Sequence, residues 1–358
     1  MKTKSTMKGI FYAFAVLAFF ASCDRKEIPN PFDPNAPKPT KPEGRTGSIG
    51  IVGEVADVQT TTKSGVVIMG GGTDVDAAFR WMIERSGGGD VVVIRSSGTN
   101  AYNPYIKGLG NVNSVETLLI NSRRLADDDG VAQIIRNAEM LFIAGGDQSD
   151  YTGFWKGTKV MAAINYLLTE KKVPVGGTSA GAAVLGNYYF SGERGGVDSE
   201  EALVNPYATK VALGRDDFLK TPFLQNVITD QHFSQRNRQG RSVVFLGRIM
   251  NDWSKVPQGI AVDERTAVCI DEEGMATVLG ANKAFFLKTD ATKTPEIFSA
   301  NTAVTWNHGS AAITVSAISA TVSSNKFNMK TFEPENTTGL EKFWWYVVAG
   351  SWSSSIRP

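Results

Sequence analysis

The sequence predicts an α/β fold, a three-layer sandwich around a mostly parallel sheet with a β-rich C-terminal ending. Three observations carry that reading. Short apolar runs such as Val66-Val67-Ile68-Met69 and Met140-Leu141-Phe142-Ile143 alternate with helical patterns. Strands that are apolar throughout belong in a parallel sheet covered on both faces. Several runs also end in glycines, Gly70-Gly71-Gly72 and Gly145-Gly146 among them, at the carboxyl ends where such sheets gather their sites.

The composition is that of an ordinary globular chain. Its 358 residues are 42% hydrophobic and 20% charged, with a net charge of +1, enough for one large domain or two smaller ones. The near-neutral balance argues against a general nucleic-acid binder or a strongly basic membrane-surface protein. At the N-terminus, Lys2, Lys4 and Lys8 precede an apolar run over residues 10–20. That run is too short for a comfortable membrane span and has the charge of a signal peptide. It ends Phe20-Ala21-Ser22-Cys23, which resembles a bacterial lipoprotein signal over residues 1–23. Cleavage would expose Cys23 for lipid attachment. Residues 24–47 carry Pro29, Pro31, Pro34, Pro37, Pro39 and Pro42 among charges and read as a semi-rigid tether. The expectation is an exported lipoprotein of the cell envelope, held to a membrane by its anchor. With Cys23 lipidated, Cys269 has no partner, so neither a disulfide framework nor a cysteine metal site is expected. Its apolar neighbours mark it as a buried core thiol.

The main domain is expected over residues 48–282. A strand at 66–69 meets the glycine turn, and Asp74 is placed to cap a helix reaching about residue 86, with Ala77, Ala78, Trp81 and Met82 as its apolar face. Three glycines at 87–89 close it. Strands follow at 90–94, 118–120 and 140–144, with helices at 127–137 and 159–171. The glycine turn lacks the spacing of a dinucleotide site, and no phosphate-binding loop of the Walker type occurs. Residues 283–358 change character. Segments at 284–287, 303–306, 311–315 and 343–348, rich in Thr, Val, Ser and aromatics, predict a β-rich extension packed on the main domain. Trp344, Trp345 and Trp352 are expected to be buried there rather than to line a ligand surface.

Residues 173–185, VPVGGTSAGAAVL, stand at the centre of this pattern. Within them Gly177-Thr178-Ser179-Ala180-Gly181 fits G-x-S-x-G, the turn that lifts a serine off a sheet edge. A strand bending sharply into a helix strains the turn residue, so its neighbours must be small. N–H groups at the helix start can then stabilise an oxyanion. The plain alternative is a tight glycine turn that only packs a helix on a strand.

A serine nucleophile needs a base, and the chain has two histidines. His308 stands alone near a turn. His232 sits in the run Thr229-Asp230-Gln231-His232-Phe233, with Arg236, Arg238 and Arg241 following. Helix starts favour acids, so arginines there point to an anionic ligand. For the group that orients the histidine, Asp252, Asp263, Glu264 and Asp271 remain open on periodicity alone, Asp263 and Glu264 lying at the tip of an apolar strand.

Taken together, Gly177-Thr178-Ser179-Ala180-Gly181-Ala182, the Asp230-Gln231-His232-Phe233 run with its arginines, Gly145-Gly146-Asp147-Gln148, and residues 259–267 resemble the cyanophycinase group of the S51 serine peptidases. The likeness covers roughly residues 66–279, in the same order. It implies a class I glutamine-amidotransferase-like fold and a Ser-His-Glu triad, Ser179 as nucleophile, His232 as base and Glu264 as acid. It also implies oxyanion donors near Gly146 and Ala180. Gln148, Asp230, Gln231, Arg236, Arg238 and Arg241 would shape a pocket for an anionic, β-aspartyl peptide. No cofactor and no metal are implied, and a homodimer stays open. A β-aspartyl unit carries a free α-carboxylate, which arginines bind in bidentate fashion.

Two other readings compete, besides an α-aspartyl or isoaspartyl dipeptidase of the same family. An α/β-hydrolase esterase would use the order Ser, acid, His, recruiting His308 with Asp252 or Asp271, though it lacks a His-Gly-Gly-Gly oxyanion motif. A non-catalytic lipoprotein would keep the pocket only to capture peptides.

Overall fold

The computed structural model describes residues 43–322, 326–336 and 339–358. The expected signal peptide, Cys23 and nearly all of the proline-rich tether lie outside the described residues. β1 (Ser48–Gly53) and β2 (Gly65–Met69) open the fold, and α1 (Asp76–Arg85) follows the glycine turn. The alternation continues through β3 (Val91–Arg95), α2 (Tyr102–Leu109), β4 (Ser114–Leu119), α3 (Arg123–Ala126), α4 (Asp129–Asn137), β5 (Met140–Ile143), α5 (Gln148–Trp155) and α6 (Lys159–Tyr166). A π-helical turn (Leu167–Lys171) leads into β6 (Pro174–Thr178) and α7 (Ala180–Ala183). Beyond lie β7 (Tyr188–Phe190), α8 (Ser199–Val204), β8 (Leu213–Arg215), β9 (Val227–Asp230), α9 (Gln239–Trp253) and β10 (Gln258–Val262). The rest is strand: β11 (Thr266–Asp271), β12 (Met275–Gly280), β13 (Lys283–Lys288), β14 (Ile313–Ser319), β15 (Lys326–Asn328), β16 (Glu333–Pro334), β17 (Leu340–Val348) and β18 (Ser351–Ile356).

These strands form two sheets. The first runs β1-β4-β3-β5-β6-β2-β11-β12-β15-β16, and its centre, from β4 to β2, is parallel. The second runs β18-β17-β14-β13-β10-β9-β7-β8, with β10, β9 and β7 parallel. The period of two along β3 divides the first sheet's faces. Val91 and Val93 meet Phe79, Met82 and Ile106 of α1 and α2 in one core. Val92 and Ile94 join Ile135, Ile164 and Leu167 in another, which also takes Ile260, Val262 and Phe286 of the second sheet. The two sheets therefore share one core. The second sheet's other face, with Ile228, Ala261 and Leu287, is covered by Phe245 and Leu246 of α9. Strands beyond residue 283 continue sheets begun before it, since β13 pairs with β10 and β15 with β12.

Four local expectations are corrected. Asp74 does not cap α1: the cap position is Val75, without a side-chain bond, and Asp74 accepts from the Tyr102 hydroxyl at 2.5 Å instead. The helix expected over 159–171 finishes as a π turn, closed by Lys172 at φ +58°. The segment 303–306 forms only two isolated bridges, Thr305 to Ile297 and Trp306 to Val347. Of the three tryptophans, Trp345 is buried and stacks on Phe233, whereas Trp344 and Trp352 are half-buried. Lys293 and Arg357 lie over the Trp344 ring. Cys269 is buried and forms no disulfide among the described residues.

Candidate active site

The carboxyl ends of β2, β6, β9 and β10 converge on Ser179. Ser179 has φ +52° and ψ −118°, a conformation that costs about 1–3 kcal/mol and persists only where neighbours enforce it. Glycines make the enforcement possible. A Cβ on Gly181 would lie 2.1 Å from the Ile143 carbonyl oxygen, and one on Gly177 2.5 Å from the Gly181 carbonyl. The Ser179 N–H donates to the Met69 carbonyl at 3.2 Å, tying the turn to β2.

Ser179 Oγ lies 2.8 Å from His232 Nε2, and His232 Nδ1 lies 2.5 Å from Glu264 Oε1. A carboxylate only accepts, so Nδ1 carries the proton and Nε2 is left to accept from the serine. Burial lowers the His232 pKa below its ordinary value, Glu264 works against that, and the charges of Arg236 and Arg238 add to the lowering. The neutral imidazole is therefore favoured. His232 itself has φ +47°, and its N–H donates to the Gly70 carbonyl at 2.7 Å. Its ring lies against Gly71, where a Cβ would stand 2.4 Å from Cε1. Of the glycines after β2, Gly71 is thus the wall behind the histidine, while Gly72 lies against Glu264.

The structure separates the candidate acids. Glu264 alone of the four bonds to His232. Asp263 accepts from the Ser234 and Lys283 N–H groups, Asp252 bonds to Arg248 and Tyr207, and Asp271 accepts from the N–H groups of its own turn. His308 is bound to the Thr294 carbonyl at 2.7 Å and lies near Glu296, so the esterase arrangement does not assemble. Two residues that the sequence reading missed fix Glu264: its N–H donates to Gln235 Oε1 at 2.9 Å, and its carbonyl accepts from Asn282 Nδ2 at 2.8 Å. Neither leaves a sequence signal, because both act on backbone.

The polar run around His232 divides in two. Asp230 and Arg241, expected to face substrate, are buried against each other: Arg241 donates to both Asp230 oxygens, and Ser242 Oγ adds a bond at 2.7 Å. Burial opposes the Asp230 charge, yet Arg241 holds its pKa below the usual value. Gln231 is buried as well, with its Oε1 taken by Arg238. Arg236 is exposed. Arg238, with 13% of its side chain exposed, lies between the two groups. Burial, then Arg241, pushes its pKa down to about 10, so an added anion there is favoured. Gln148 begins α5, half-buried beside Gly192. Gly145 faces Ser179, a Cβ there lying 3.4 Å from the serine Cβ, and Gly146 follows it. Ala180 opens α7, so its N–H has no intrahelical acceptor. Among the described residues no cluster of His, Cys, Asp or Glu could hold a metal ion.

Residues 97–278, half of the chain, match the family described as Peptidase family S51. The cyanophycinase of Trichormus variabilis is 31% identical over 183 residues, covering 51% of this chain and 56% of that protein. That of Synechococcus elongatus is 28% identical over 236 residues, covering 62% and 67%. The chain thus spans 56% of the length of the first of these relatives. A solved peptidase from an acI-B1 Actinobacterium aligns over 63% of this chain and 91% of that one, at 16% identity and a TM-score of 0.47, too loose a likeness to carry weight.

Proposed function

The chain belongs to peptidase family S51, and we propose on that premise that it is an exported serine exopeptidase hydrolysing β-aspartyl peptides of the β-Asp-Arg type through an acyl-enzyme. The observation that carries the proposal is the contact chain from Ser179 to His232 to Glu264, at 2.8 and 2.5 Å. Ser179 Oγ attacks the scissile carbonyl while His232 Nε2 takes its proton. Glu264 stabilises the resulting imidazolium. The N–H groups of Gly146 and Ala180 receive the developing oxyanion. His232 then returns the proton to the leaving amine, and a water repeats the sequence to release the acyl group. Arg236 and Arg238 hold the substrate α-carboxylate, and Gln148 contributes a further polar contact to the substrate. This assignment leaves Asp230 and Arg241 as the buried base that holds β9 to α9. Acylation of Cys23 would keep the enzyme at a membrane of the cell envelope.

The test is a hydrolysis panel of cyanophycin, β-Asp-Arg and α-aspartyl dipeptides, with Ser179→Ala as control. Turnover of the β-linked substrates that vanishes in Ser179→Ala is expected. Preference for α-linked peptides would overturn the specificity, and turnover by Ser179→Ala would overturn the nucleophile.

A further inference from the structure

We propose that Asp74 is a positioning residue for the nucleophile, a buried carboxyl that links Tyr102 of α2 to Thr178 at the end of β6 and so holds Ser179 in its strained turn. The geometry begins with the failed cap. Asp74 turns inward, and Tyr102 donates to its Oδ2 at 2.5 Å. Its other oxygen, Oδ1, is buried without a good hydrogen bond, and so is the Thr178 hydroxyl. The threonine is near enough to act on the carboxyl, and a small shift that joins the two groups would satisfy both. Two buried orphans side by side are rare, and Thr178 is the residue immediately before Ser179.

The surroundings of Asp74 set its electrostatics. The neighbouring charge on Asp74 is Asp76, of the same sign. Asp76 is itself held by Tyr105 at 2.6 Å and loosely by Arg80. Arg95 lies over the Tyr102 ring, 5.9 Å from its centroid, and bonds to loop carbonyls instead. Burial pushes the Asp74 pKa above the usual carboxyl range, the Tyr102 and Thr178 hydroxyls pulling it back only in part. Asp74 accepts from the Tyr102 hydroxyl and faces the Thr178 hydroxyl, giving a chain of polar contacts that ends one residue from Ser179. Strain at Ser179 needs support from several directions. Met69 supplies it from the backbone and Asp74 from the side chain.

The inference rests on Ser179 being the nucleophile, so its test carries a readout that needs no substrate. The full chain has two histidines, and 15N-labelled histidine therefore gives one ring signal set at the site and one, from His308, as an internal control. Asp74→Ala and Thr178→Val should each move the His232 Nε2 resonance and leave His308 unmoved. On β-Asp-Arg each should lower kcat about 10- to 100-fold with KM within about twofold. The double variant should be no worse than either single one, as for two ends of one bond. Asp74→Asn, which keeps a neutral donor and acceptor, should restore most of the rate. An unmoved His232 resonance in both single variants would overturn the inference, as would multiplying effects, or an Asp74→Asn as impaired as Asp74→Ala. If Asp74→Ala does not fold, Thr178→Val alone and combined with Asp74→Asn decides. A wild type that cleaves no panel member would count against the peptidase reading, while the resonances still judge Asp74.

Discussion

Gly71→Ala is the sharpest probe of the site, because it adds one methyl group to a residue that does no chemistry. Its Cβ would lie 2.4 Å from His232 Cε1 and 2.5 Å from Nε2. Carbon contacts relax at roughly 3.5 Å, so the imidazole must retreat by about 1 Å. The ring cannot do so freely, being tied at 2.8 Å to Ser179 and 2.5 Å to Glu264. Alanine at φ +90° adds about 1–2 kcal/mol of backbone strain. A displacement of that size costs on the order of 100-fold in rate when it disturbs the reacting geometry. We therefore expect kcat on β-Asp-Arg to fall about 100-fold or more, towards the level of His232→Ala, with the fold retained. Gly72→Ala is the control. Its Cβ meets Glu264 Cβ and Oε2 at 3.2 Å, the Oε2 contact being with the movable end of the side chain, and it should lose less than about tenfold. Initial rates with circular dichroism on all three variants measure this. Full activity in a folded Gly71→Ala, or a worse Gly72→Ala, would refute the reasoning.

Three further outcomes follow from the same geometry. Glu264→Gln keeps the shape but removes the charge that supports the imidazolium, and kcat should drop about 10²- to 10⁴-fold with little change in KM; a change confined to KM would mean that Glu264 only shapes the pocket. Arg241→Met leaves Asp230 buried without its main partner and should destabilise the fold by about 3–5 kcal/mol, read by denaturant unfolding; unaltered stability with a raised KM would return Arg241 to the substrate. Arg236→Gln removes a cation that favours neutral His232. The base is lost as pH falls through the His232 pKa, so that variant's acidic limb of kcat/KM should move to higher pH, and less so at high salt because Arg236 is exposed. An unmoved limb would remove Arg236 from the electrostatics of the base.

Much of this was legible in the sequence, for reasons that differ by residue. The parallel centre of the first sheet could be read because β2, β3 and β5 are short apolar runs, β2 and β5 leading into glycines. Ser179 stood out through its small neighbours, and His232 because histidine is so scarce. Glu264 was named by family resemblance alone; periodicity could not rank it above Asp263, the adjacent residue on the same strand tip. The arginine cluster was visible as charge but not as direction. Nothing in an eleven-residue spacing says that Arg241 turns back onto Asp230, since that depends on how α9 crosses β9. Gln235, Asn282 and Asp74 escaped for a related reason: their partners lie 29, 18 and 28 residues away.

The residues that were missed share a property with the glycines that were seen. None supplies a reacting atom, and each fixes a backbone that would otherwise relax. Ser179 and His232 both occupy positive φ, so the pair rests on two strained turns facing one another. β2 connects them, its last residue receiving the Ser179 N–H and its following glycine the His232 N–H. The distance from Ser179 to His232 is therefore set by one stretch of chain, residues 69–71. Side-chain substitutions elsewhere reach the reaction by disturbing that stretch or by disturbing what holds β6 against it. That is why a methyl group on Gly71 is expected to cost as much as the loss of a charged partner, and why the Asp74 carboxyl is proposed to have a part in placing a serine it does not touch.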